Sequence, residues 1–82
     1  MTMSADRASS MEDEIATLAS TIDAATHRLL TLIREFDLEE GWAGHGVLGC
    51  AHWLTWRIGL APGAAREKVR VARALGELPH HR

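Results

Sequence analysis

Residues 50–73 read CAHWLTWRIGLAPGAAREKVRVAR, from Cys50 to Arg73, and the fold turns on how this stretch divides. Gly59 and Pro62 divide it. Glycine favours the position just past a helix end, and proline the first turn of the next helix. The stretch therefore reads as helix, tight turn, helix. The first helix is expected over about Leu48 to Ile58, with Ala51, Leu54 and Ile58 on one face. Trp53 and Trp56 lie to the side, and Leu60 continues their row. Apolar over more than half its circumference, this helix is expected to be the most buried element. The second helix opens at Pro62, with Ala61 a poor N-cap. Ala65, Val69, Ala72 and Leu75 make its inner face, and Gly76 and Pro79 are expected to end it. Arg66, Arg70 and Arg73, at i, i+4 and i+7, form an outer basic row.

Upstream lies a longer pattern. Met11, Ile15, Leu18, Ile22, Ala25, Leu29, Leu32 and Phe36 are separated by alternating gaps of four and three, with no glycine or proline between them. That is a heptad seam, and it implies one helix of ~26 residues, ~39 Å long. Ser9 and Ser10, each followed three residues on by an acid (Glu12, Asp13), offer its start. Residues 1–8 are accordingly expected to be a disordered N-terminus, 9–79 one helical domain and 80–82 a tail. Two arrangements satisfy the seam. Either the rest of the chain packs along most of it, or it pairs in a coiled-coil or helix-swapped homodimer through Ile15, Leu18, Ile22, Ala25, Leu29 and Leu32. The helix should stop near Asp37–Glu40, where Gly41, Gly44, Gly46 and Gly49 begin a reversing loop. Trp42 within that loop reads as a plug over the end of a core.

Eighty-two residues make one small domain, with a core worth only a few kcal/mol unless a partner adds to it. Cys50 is the sole cysteine; it cannot form an internal disulfide and reads as a buried thiol in a reducing compartment. The N-terminus has no apolar signal region, and no stretch reaches the ~18 apolar residues of a membrane span, so a cytoplasmic protein is expected. Net charge is −2, but unevenly spread. Residues 1–46 hold nine acids against three arginines, −6, and residues 47–82 hold six basic residues against two acids, +4. The asymmetry fits two opposed faces of one fold, or a basic half that meets an anionic partner.

Three chemistries can be weighed on spacing. His45, Cys50 and His52 are metal-ligand types, but H-x4-C-x-H matches no common zinc pattern, and no metal or other cofactor is expected. Cys50 and His52, two apart on a helix, do not face one another as nucleophile and base. Residues 51–70 resemble a helix-turn-helix in outline, and Arg66, Arg70 and Arg73 are candidate DNA phosphate contacts. The GLAPG turn is long for that motif, and the chain has no Asn or Gln to read adenine edges.

GWAGHG at 41–46 and CAHWLTWRIGLAPGAAREKVRVARALGELP at 50–79 are very similar to the N-terminal domain of unknown function (DUF 222) of 13E12-repeat, HNH-endonuclease-like proteins. EDEIATLASTIDAATHRLLTLIREFD upstream resembles the opening of that domain. The resemblance spans about Met11 to Pro79 and implies a mostly helical fold in a mobile-element or DNA-transaction context. Family members continue well beyond the ALGELP block and carry an HNH motif that needs an asparagine. This chain has none, so no catalytic residue of the family carries over. Val47–Gly49 and the HHR tail depart from the family text, which points to a truncated or degenerate copy. The expectation is an all-α domain of three helices, a long N-terminal helix plus a helical hairpin. It would act as a non-catalytic interaction module, or alternatively as a small helix-turn-helix-like DNA-binding protein.

Overall fold

The computed structural model describes residues 4–77 and is all-α, with three helices among the described residues. Helix α1 spans Ala5–Leu38, thirty-four residues. It starts earlier than Ser9 because Ser4 caps it: the Ser4 hydroxyl oxygen accepts from the Arg7 backbone N–H at 3.1 Å. Ala5 and Ala8 propagate helix well and Asp6 suits the positive end of the dipole. Residues 5–8 are thus helical, not a disordered lead, while residues 1–3 and the 80–82 tail lie outside the described residues.

The far end of α1 closes in a Schellman motif. The Gly41 N–H donates to Phe36 O at 2.9 Å and the Glu40 N–H to Asp37 O at 3.0 Å. Its left-handed residue is Glu40, at φ 54°, where glycine is the usual occupant. Gly41, one place later, is required for a different reason. A Cβ there would collide with the Phe36 ring.

Helix α2 spans Cys50–Ile58, two residues shorter at its start than the sequence suggests. Leu48 is left 91% exposed, and its N–H donates to Nδ1 of His52 at 3.0 Å, which ties the loop to the first turn. Gly59 ends α2 in the left-handed region at φ 78°, its N–H donating to Thr55 O at 3.1 Å. Helix α3 spans Pro62–Glu77 and runs through Gly76, which therefore does not terminate it. Gly76 lies against the Arg34 side chain, in space a Cβ would occupy; Pro79, the other expected stop, is outside the described residues.

The core is small and sits at one end of α1. Ile33 from α1, Cys50 and Leu54 from α2, and Ala65, Val69 and Ala72 from α3 are buried together. Helix α3 supplies half of these residues and packs against both other helices, which touch each other far less. Ala65 and Ala72 have no exposed surface, so α3 approaches its neighbours at close range. Residue for residue α2 is the most buried of the three helices, as its apolar circumference leads one to expect, although Trp56 and Ile58 stay more than half exposed. Phe36 and Trp53 stack with centroids 4.4 Å apart, and Trp42 packs against the same cluster as a cover.

This geometry fixes opposite signs for two neighbouring substitutions. Glu40→Gly should stabilise the chain by about 1 kcal/mol by relieving a left-handed non-glycine residue. Gly41→Ala should destabilise it by ~1–3 kcal/mol through overpacking on Phe36. Urea unfolding of the two variants beside the parent measures both.

Candidate functional site

Two surfaces stand out, one along α1 and one between α2 and α3. The seam residues of α1 from Met11 to Leu32 share a face and are exposed along it. Met11, Ile15, Leu18, Ile22, Leu29 and Leu32 are between 38% and 65% exposed, and Ala25 is exposed beside them. Every residue from Ser9 to Leu29 is exposed, and the buried end of α1 starts at Leu30. Of the two arrangements that satisfied the seam, packing along most of its length by the rest of the chain is not what the structure shows. Helices α2 and α3 reach only the last third of α1. At that end the seam opens into an apolar groove of about 410 Å³, where Leu29, Leu32 and Phe36 face Trp53, Leu54 and Ile58. Trp53 Nε1 is buried without an acceptor among the described residues, a cost of ~1–3 kcal/mol.

The second surface is a groove of about 880 Å³ that Arg66, Arg70 and Arg73 line together with the first turn of α2. The structure thus brings the three arginines to one place, but two of them are engaged. Arg70 donates from Nε to Glu67 Oε1 at 3.0 Å across one turn of α3. That bond holds the Glu67 carboxyl below its usual range. Arg73 donates from Nε to Asp37 Oδ2 at 2.7 Å. Arg66 makes no ion pair among the described residues.

Asp37 joins three segments that sequence spacing could not connect. It sits in the last turn of α1, accepts from Arg73 of α3, and accepts at Oδ1 from Trp42 Nε1 of the loop at 3.3 Å. Its side chain is only 11% exposed, whereas that of Arg73 is 61% exposed. The Arg73 hydrogen bond lowers the Asp37 carboxyl below its ordinary range; burial opposes the shift, and the Arg73 charge and the Trp42 N–H reinforce it.

The residues weighed for catalysis or metal are otherwise committed. Cys50 is buried, and burial first, then the Asp37 carboxylate, push its thiol up to about 11. It is therefore a protonated, weakly nucleophilic group at neutral pH. His52 spends Nδ1 on the Leu48 N–H. His45 is exposed, with its ring centroid 6.5 Å from that of Trp53 and 6.0 Å from that of Trp56. No cluster of three metal-ligand side chains occurs among the described residues, and no described helix is long and apolar enough to cross a membrane.

No family model, curated protein or solved structure matches this chain.

Asp37 gives the site its pH dependence. A carboxyl whose folded value is lowered stabilises the fold above its unfolded value, and this contribution is lost as pH falls through the folded one. Asp37→Asn should cost ~1–3 kcal/mol at pH 7. The gap to the parent, measured by urea unfolding of both, should close as pH falls through the lowered Asp37 value. A gap of the same size above and below that value would show that the carboxylate charge is not what Arg73 and Trp42 hold.

Proposed function

We propose that this chain is a non-catalytic helical module whose α1 helix associates with another helix, most simply that of a second copy. The observation that carries this is the seam itself. Six large apolar side chains lie on one exposed face of α1 at heptad spacing, a pattern that marks an interaction surface. A second consideration supports it. From Ser9 to Leu29 every residue of α1 is exposed, and its six Ser and Thr residues over 9–26 are indifferent helix formers. Isolated helices of such length are marginal in water, and packing of an apolar face is what normally holds them. The resemblance to the DUF 222 domain of HNH-endonuclease-like proteins supports a role as the non-nuclease part of a DNA-transaction system. The lone, buried, protonated thiol suits a reducing cytoplasmic setting.

Light scattering over a dilution series tests the proposal: a concentration-dependent dimer is expected. Ile22→Glu at the centre of the exposed seam should convert it to monomer without unfolding the head, since Ile22 touches none of the core. A strict monomer at every concentration refutes self-association.

A second reading has one observation behind it: Arg66, Arg70 and Arg73 converge on a single groove, as a helix-turn-helix-like DNA-binding protein would need for phosphate contact. Glu67 and Asp37 offset two of those three charges, which is why association through α1 is preferred. DNA binding would appear as duplex retardation at low salt that weakens as salt rises and falls on Arg66→Ala; with the arginines so paired, no retardation is expected.

A further inference from the structure

From the seam's charges and side-chain sizes we infer that two copies of α1 pair antiparallel about a two-fold axis at Ser20. This rests on the association proposed above and adds orientation, register and the identity of the partner as a second copy of this chain.

Set as a heptad, the seam places Ala8, Ile15, Ile22 and Leu29 at positions a, and Met11, Leu18, Ala25 and Leu32 at positions d. The g positions, which flank the seam, are Arg7, Glu14, Thr21, Arg28 and Glu35. The charged ones alternate in an order that is complementary to its own reverse. None of Arg7, Glu14, Arg28 or Glu35 makes an ion pair within the chain among the described residues.

In an antiparallel pair each a residue shares a layer with a d residue of the other helix, and g flanks g. Centred at Ser20, Ile15 meets Ala25 of the second copy, Leu18 meets Ile22, Met11 meets Leu29, and Ala8 meets Leu32. Every alanine then faces a large side chain, and no layer is left empty. Along the flank Glu14 faces Arg28 of the second copy and Arg7 faces its Glu35, with Thr21 against Thr21 at the axis. All four ion pairs across the interface are attractive.

The neighbouring registers fail on charge. A shift of one heptad one way sets Arg7 against Arg28, and one heptad the other way sets Glu14 against Glu35. A parallel pair is poorer for a different reason. There g flanks the e position five residues on, so Arg7 gains Glu12, but Glu14 meets Ala19 and Arg28 meets Ile33, which is already buried in its own core. Ala8 and Ala25 would each face themselves, leaving underfilled layers. The antiparallel register is also continuous with the apolar groove at the head. The second copy's Ala8 and Met11 would lie where Leu29, Leu32 and Phe36 meet Trp53 and Ile58, and small residues at 5 and 8 let a helix come close there. Such a pair is isologous and closes on itself.

Nitroxide labels on Ser10→Cys and Ser20→Cys, each in a Cys50→Ala background, test it by dipolar distance measurement. Both positions are exposed and off the seam. The Ser10 labels should sit about 30 Å apart along the axis, while the Ser20 labels show almost no axial offset. Equal short distances at both positions indicate a parallel pair, and a Ser20 axial offset of about 10 Å or more another register or surface; either overturns the inference while leaving association intact. No dipolar signal, with monomer by light scattering, overturns both. A second set keeps Cys50 native. Glu14→Arg alone and Arg28→Glu alone should each weaken the dimer about tenfold, and the two together should restore it. Failure of the double variant to recover overturns the register.

Discussion

The structure depends on a mismatch of lengths. At 1.5 Å per residue α1 is about 51 Å long, α2 about 13 Å and α3 about 24 Å. Two short helices packed at one end cannot cover the long one. The core therefore gathers where α1 ends, around Ile33, and the rest of α1 projects. The radius of gyration is 18.2 Å, where a compact domain of this length would have about 12 Å. A projecting helix with polar faces all round could stand in water. This one carries a continuous apolar face.

At the head the constraint is different. A core of six residues, three of them alanine or cysteine, supplies little hydrophobic free energy. Geometry is instead pinned by specific contacts. Asp37 holds the last turn of α1, the loop tryptophan and α3 in one hydrogen-bonded knot. The Schellman closure at Glu40–Gly41 turns the chain so that Trp42 can reach Asp37. Ala65 and Ala72 let α3 lie close enough for Arg73 to reach the same carboxylate. The association face and the head are thus separate parts of one molecule. Leu29, Leu32 and Phe36 are the residues that belong to both.

Much of this was legible in the sequence, and the misses have physical causes. Gly59 and Pro62 announced the hairpin because each residue type favours one side of a helix boundary. The inner face of α3 followed from spacing alone, and Ala65, Val69 and Ala72 are buried as that spacing requires. That α2 is the most buried helix was also legible, but hydrophobicity round a helix does not say how much of it the neighbours cover. Trp56 and Ile58 stay more than half exposed. The start of α1 was placed late because Ser9 and Ser10 each have an acid three residues on, whereas Ser4, the residue that caps it, has Arg7 there. Glu40 in the left-handed region was invisible because the adjacent Gly41 fits that role by type. The Asp37–Arg73 pair, thirty-six residues apart, has no sequence signature. The self-complementary order of Arg7, Glu14, Arg28 and Glu35 was present in the sequence throughout. It acquires meaning only once the seam between them is known to be bare.

Hydrogen exchange at two protein concentrations reads the central claim most directly. If the projecting part of α1 takes its stability from a second helix, amides from about Ser9 to Leu29 should gain protection as concentration rises, while those around Ile33, Leu54 and Val69 stay unchanged. Equal protection of residues 9–29 at high dilution and high concentration, whether strong or absent, would contradict it.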